Sequence, residues 1–274
     1  MEMRHSSFNA HGSLALSIAL PMVMIIMGEA LLFSGSLYGC LILHLVNITV
    51  CVTAIVLLGE GTSLWHAFAM ISLLRVLNLG MPRFETSSLA WLPLIYGPII
   101  FVCVMQLYDS SRGREGLISL FREKTAVPSV ALKYIYLPIF AVVVSLQMAL
   151  IGFTILDGPF PNLQMIPDQS IGNMILALIV FVLFVGLGEE LLFRKILQER
   201  LIKSSLSPLV AILVSSLAFA ALYSSYESFL FIAYAFVVGA ILGLIYYRFK
   251  SLILIIMIHG LMDFFLFAVL PFWL

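Results

Sequence analysis

The chain has 274 residues, 62% of them hydrophobic and only 10% charged, and its formal net charge is zero. Soluble domains carry about 25% charged residues, so a mean hydropathy of +1.14 excludes a water-soluble globular protein. The balanced charge leaves no basic footprint for nucleic acid, and the three cysteines, Cys40, Cys51 and Cys103, lie in apolar runs with neither a disulfide framework nor a metal-ligand spacing.

Apolar sequence begins near Ser13. The run is too long for a signal-peptide core and lacks a small-x-small cleavage site, so it reads as the first transmembrane helix. A bilayer-spanning helix needs about 20 mostly apolar residues. Expected spans follow in order: Ser13–Phe33, Leu37–Leu58, Leu64–Leu79, Ser88–Leu107, Lys133–Leu156, Ile171–Phe193, Pro208–Ser224, Ser228–Tyr247 and Ser251–Trp273. The third is short and contains Arg75, which fits a tilted or re-entrant helix. The expected fold class is an all-α, polytopic transmembrane helix bundle of about 8–9 spans.

Two connectors are long. Asp109–Leu132 is basic, and its Gly116–Phe121 segment fits an interfacial amphipathic helix. Asp157–Gln169 holds Pro159, Pro161 and Pro167. Residues 1–132 form a front half with few intramembrane polar groups, and residues 133–274 a back half rich in them. With the N-terminus in the cytoplasm, 12 of the 14 Lys and Arg residues fall on cytoplasmic segments: Arg4, Arg112, Arg114, Arg122, Lys124, Lys133, Arg194, Lys195, Arg200, Lys203, Arg248 and Lys250. That is a strong positive-inside bias, and it predicts a multi-pass protein of the cell membrane with a cytoplasmic N-terminus. Gly239 and Gly243 form a small-xxx-small pair suited to close helix packing.

The most informative residues are Glu189, Glu190 and Arg194. An ionisable group at membrane depth costs roughly 2.5–3.5 kcal/mol on insertion scales and is rare unless it pairs or works. Glu190 and Arg194 stand four apart on one helix face and can pair. Glu189 is rotated about 100° away and is free for another partner. A carboxylate so held can take a proton from water. The bland reading is an interfacial Glu–Arg pair at a helix end. His259 and Asp263 again share a face at i and i+4, against a bland reading of helix packing. Phe219, Tyr223, Ser224, Ser225, Tyr226 and Glu227 close the seventh span, where an interfacial aromatic belt with polar capping is the preferred reading. Glu29 and Arg75 are suited to pair with each other, and His44 reads as a satisfied core histidine.

Glu-Glu-x-x-x-Arg at 189–194, then Phe219 with Tyr223 four residues on, then His259-x-x-x-Asp263, on successive late membrane helices, resembles the CPBP family. That family holds the CAAX prenyl endopeptidases and bacteriocin-processing or immunity proteins often labelled Abi. The resemblance covers roughly Tyr134–Leu270. It implies an intramembrane endopeptidase with its site in a cavity open toward the cytoplasm, acting on a prenylated or hydrophobic peptide tail at the lipid boundary. It also implies Glu189 as general base on water, Glu190 and Arg194 in support, and His259 and Asp263 as metal ligands or oxyanion stabilisers. A divalent metal such as zinc would then be held by Glu189, His259 and Asp263, or with Glu227 recruited; a metal-independent site is the other form.

One position departs from the pattern. The family places histidine where this chain has Tyr223, and the remaining histidines, His5, His11, His44 and His66, all lie in the front half. Tyrosine, with a pKa of about 10, is a poor base near neutrality and an uncommon zinc ligand. The departure raises a second reading: a catalytically impaired relative that binds membrane peptides as a scaffold or immunity protein. A proton- or ion-coupled transporter ranks lowest, because no internal repeat is visible.

Overall fold

The computed structural model describes residues 2–59, 62–80, 88–110, 136–156 and 165–273, with side chains at 14–59, 62–80, 89–108, 136–155 and 165–273. Each expected span holds a helix among the described residues: α1 Glu2–Phe33, α2 Leu37–Leu58, α3 Ser63–Asn78, α4 Ser88–Ser110, α5 Leu137–Leu156, α6 Ile171–Lys203, α7 Pro208–Ala221, α8 Phe229–Phe249 and α9 Leu252–Phe272. All except α3 and α7 are long and apolar enough to cross a membrane. The chain is an all-α, multi-pass integral membrane protein. The connector segment Gly116–Phe121 lies outside the described residues.

Three late helices begin alike. Ser207, Ser228 and Ser251 each accept a hydrogen bond from the backbone N–H three residues on, and Pro208 takes the first helical position of α7, where its missing N–H costs nothing. The sixth span runs ten residues past its expected end at Phe193, because Arg194–Lys203 contains no helix breaker. It stops at Ser204 and Ser205, the latter in a left-handed conformation (φ 71°). The Glu pair therefore sits near the middle of α6 instead of near its end. Two wider π-helical stretches, Phe181–Gly186 and Leu191–Gln198, flank it, a local irregularity that recurs at functional sites.

α9 is the most enclosed of the long helices, with 67% of its apolar window buried against 17% for α2. It crosses α6 backbone to backbone. A Cβ on Gly260 would fall 2.5 Å from Val182 Cα, and one on Gly186 would fall 2.9 Å from the Ile256 carbonyl. Two glycines thus permit the approach that sets His259 against the Glu pair. Gly239 and Gly243 do the same for α8. Added Cβ atoms would press on Phe219, Ser216, Ile212 and Gln198, and the carbonyls of the two glycines accept from Arg194 and Gln198. The small-residue pair therefore carries polar contacts as well as packing.

α3 has 16 residues and α7 has 14, about 24 and 21 Å at 1.5 Å per residue. Both fall short of a hydrocarbon core about 30 Å thick. α3 starts beside α6, where Arg200 donates to the Ser63 carbonyl at 2.7 Å. Its far end meets the end of α7, where Arg75 donates to the Leu222 carbonyl. α3 therefore runs from one end of the bundle toward the other and is not re-entrant. Both short helices stop below the same surface, and a cavity opens over their ends.

Candidate active site

Four helices and one turn build the site. Glu190 is fully buried and holds two partners on one oxygen: Arg194 Nη1 at 3.0 Å, one turn along α6, and His259 Nδ1 at 2.7 Å from α9. Arg194 is itself 1% exposed. Its Nη2 donates to the Gly239 carbonyl at 3.1 Å, and its guanidinium lies 4.6 Å over the Phe219 ring. The expected Glu190–Arg194 pair is formed, deep inside the bundle and away from any interface, where losing either partner strands a charge.

Glu189 faces the other way. Its Oε1 accepts from the Tyr96 hydroxyl of α4. Its Oε2 has no hydrogen-bond partner among the described residues and lies 3.5 Å from His259 Nε2. Gly188 makes room for this arrangement, since a Cβ there would meet Tyr96 Cδ1 at 2.8 Å. Asp263 lies one turn beyond His259, with Oδ2 3.6 Å from Nε2. With Nδ1–H donating to Glu190, the Nε2 of a neutral His259 would present its lone pair to two carboxylates. A lone pair facing a carboxylate oxygen on either side, at 3.5 and 3.6 Å, calls for a positive charge between them.

These groups border a cavity of about 140 Å³, room for on the order of ten waters. Glu189, Asp263, Tyr96 and Tyr223 line it, Phe181, Val185 and Phe267 form apolar walls, and Arg75 and Asn78 stand at the α3 end. Tyr223 thus lines the cavity, a place that the belt reading does not give it. Phe219 and Phe231 pack its ring at 5.1 and 5.5 Å, and its hydroxyl has no partner among the described residues. All six residues singled out from the motifs converge: Glu190, Arg194 and His259 behind the wall, Glu189, Asp263 and Tyr223 in it. Glu227 is exposed at the rim and does not line the cavity.

Residues 171–265 match the family model of type II CAAX prenyl endopeptidases, Rce1-like. This match supports the CPBP resemblance of the late motifs. Searches of curated proteins and of solved structures found no match. The matched segment contains every motif residue but not Tyr96, Glu29 or Arg75, which come from the front half.

Tyr96 carries no signal in the sequence. It is one phenol in an apolar helix, 93 residues from its partner Glu189. Arg75 and Glu29 do pair, with Nε–Oε1 and Nη2–Oε2 both at 2.7 Å. Beyond that expectation, the pair fastens the turn that carries Tyr223: Arg75 holds the Leu222 carbonyl, and Ser224 Oγ donates to Glu29 at 2.5 Å. His44 donates or accepts at Ser72 (3.1 Å) and approaches Glu29 at 3.2 Å, so it is a core histidine with partners. Glu29, Cys40 and His44 also bring potential ligand atoms within 4.8 Å of one another, but Arg75 and Ser224 already occupy both Glu29 oxygens.

Proposed function

We propose that the protein is an intramembrane endopeptidase that hydrolyses a peptide bond near an apolar or prenylated end, with Glu189 as the base. The observation that carries this reading is the division of the Glu pair: Glu189 lines the cavity with one oxygen tied to Tyr96 and the other free, while Glu190 is fully buried behind the wall and holds both Arg194 and His259 on its Oε1.

Water beside Glu189 Oε2 loses a proton to it as the oxygen attacks the peptide carbonyl carbon. The carbonyl π bond opens onto its oxygen. That oxyanion needs donors aimed at it, and the unpartnered Tyr223 hydroxyl meets the need. The tetrahedral intermediate then collapses and the C–N bond breaks. Glu189 returns its proton to the leaving nitrogen, giving a carboxylic acid and an amine. Tyrosine is ill suited to replace histidine as a base, but oxyanion donation asks only for a hydroxyl. The departure at 223 is in this way compatible with turnover.

The donor types are those of a divalent-metal site, but the ligand atoms of Glu189, His259 and Asp263 do not all lie within 4.8 Å of one another, so a metal would be held there only after a carboxylate turned inward. Glu189 Oε2 and His259 Nε2 are buried without hydrogen-bond partners, Asp263 stands beside them, and one imidazole with two carboxylates is a zinc-type set. Glu190 on Nδ1 is the outer carboxylate such a histidine requires. Bound there, a metal would bring the pKa of its water down to about 7.

Two variants test the roles on purified protein with a panel of apolar peptides. Tyr223→Phe removes one oxyanion donor and is expected to lower kcat by about 10²- to 10³-fold with little change in KM. Unchanged kcat would exclude the donor role. Tyr96→Phe unties Glu189 and, for a lost hydrogen bond to a charged group, is expected to lower kcat about tenfold or more. That loss should vanish when measured in a Glu189→Gln background, because Tyr96 acts through Glu189. A full loss in both backgrounds would make Tyr96 a packing residue only.

A further inference from the structure

The cavity has a direction. Its less buried lining residues, Asn78, Leu79, Tyr223, Ser225 and Tyr226, all lie at one end of the bundle. Four sets of contacts define that end. Phe33 at the end of α1 stacks near Phe229 at the start of α8 (4.2 Å). Arg75 meets Leu222, Ser224 meets Glu29, and Met165 N–H donates to the Phe267 carbonyl at 3.1 Å. The end of α3, the end of α7, the approach to α6 and the last turns of α9 therefore gather around the mouth.

Apart from Arg75 and Arg194, both buried in ion pairs, the basic residues of the described helices lie at the opposite end. Lys195, Arg200 and Lys203 occupy the last turns of α6, and Arg248 and Lys250 end α8. Arg200 reaches Ser63 at the start of α3, and Tyr246 donates to Glu199. α4 descends from Tyr96 at the cavity to Cys103 within electrostatic reach of Arg200, so the chain leaves α4 at this basic end. Tyr234, near the start of α8, bonds the Met148 carbonyl late in α5, so the chain enters α5 at the basic end too. The intervening sequence adds Arg112, Arg114, Arg122, Lys124 and Lys133. At the mouth end, the sequence between α3 and α4 adds only Arg83, and Asp168 and Glu227 are acidic.

We propose that the catalytic cavity opens at the non-cytoplasmic face, and that its substrate is an apolar peptide end presented from that side of the membrane. Lys and Arg mark the cytoplasmic side in short loops, and here they mark the end remote from the mouth. This reverses the cytoplasmic opening that the family resemblance implies. It deepens the peptidase reading by saying where the peptide must come from, but the sidedness does not depend on turnover. Leu79, Leu92, Met165, Phe181 and Phe267 suit aliphatic or aromatic side chains entering from that face.

Single cysteines decide the matter in the full chain, because the native Cys40, Cys51 and Cys103 are all buried. Asp168→Cys and Glu227→Cys report the mouth end, and Lys203→Cys reports the basic end. A charged, membrane-impermeant maleimide is applied to intact cells and to permeabilised cells. The proposal expects Asp168→Cys and Glu227→Cys to label in intact cells as fully as after permeabilisation, and Lys203→Cys to label only after it. Labelling of Lys203→Cys alone in intact cells would overturn it. A membrane-impermeant apolar peptide is then supplied to sealed vesicles of each orientation. Cleavage only from the mouth side supports the proposal, and cleavage only from the basic side overturns it. Absence of cleavage from both sides counts against the peptidase reading, and the maleimide labelling then decides sidedness by itself.

Discussion

Glu189→Gln is expected to leave a folded protein whose turnover falls by about 10²- to 10⁴-fold, the usual contribution of a positioned general base. The amide keeps the shape of the side chain and can still accept from Tyr96, so folding has little to lose. What disappears is the basic oxygen beside the cavity. Glu190→Gln should behave in the opposite way. It weakens two buried contacts at once, the 3.0 Å pair to Arg194 and the 2.7 Å bond from His259 Nδ1, so thermal stability should fall along with activity. Measuring kcat and the melting temperature for both variants separates the two carboxylates. Equal stability losses, or a Glu189→Gln enzyme with normal kcat, would dissolve the proposed division between them.

Arg194→Ala should be the most destabilising single change in the site. Removing one partner of a buried ion pair costs about 3–5 kcal/mol because the remaining charge is stranded. Here the guanidinium also holds the Gly239 carbonyl and stacks over Phe219. Lysine cannot make all three contacts from a point charge, so Arg194→Lys should recover only part of the loss. The double variant Glu190→Gln/Arg194→Met should unfold at a higher temperature than Arg194→Ala, since it leaves no unpaired charge. If Arg194→Ala unfolds like wild type, the pair is solvated and the burial of this stretch of α6 is refuted.

The two motifs are legible in the sequence because helical spacing alone sets i and i+4 neighbours on one face. Glu190–Arg194 and His259–Asp263 both follow that rule. The helices are legible because apolar runs of about 20 residues have few alternatives in a bilayer. What joins the motifs is not. The α6–α9 crossing depends on Gly186 and Gly260, and nothing in sequence says which of many glycines meets which backbone. Tyr96 and the Arg75 link to Leu222 span 93 and 147 residues, distances over which periodicity carries no information. Tyr223 reads as part of an aromatic belt because an interfacial helix end and a cavity rim have the same composition. The expected end of α6 falls too early because Lys195, Glu199 and Lys203 resemble a solvated loop, yet at i and i+4 they pair along a helix at 2.9 and 3.9 Å.

The front half is more than a membrane anchor. It supplies the phenol on Glu189, and through Glu29 and Arg75 it holds the turn that carries Tyr223. Tyr223 and Glu189 are thus positioned relative to one another through helices outside the segment that matches the family.

The central claim is that this protein hydrolyses peptides with water activated at Glu189. The most direct measurement incubates purified protein with apolar-ended peptides in water enriched in oxygen-18 and weighs the products. The account predicts new C-termini carrying one heavy oxygen from wild-type protein, and none above background from Glu189→Gln. Intact peptides throughout the panel with wild type, or equal labelled product from both proteins, would contradict it.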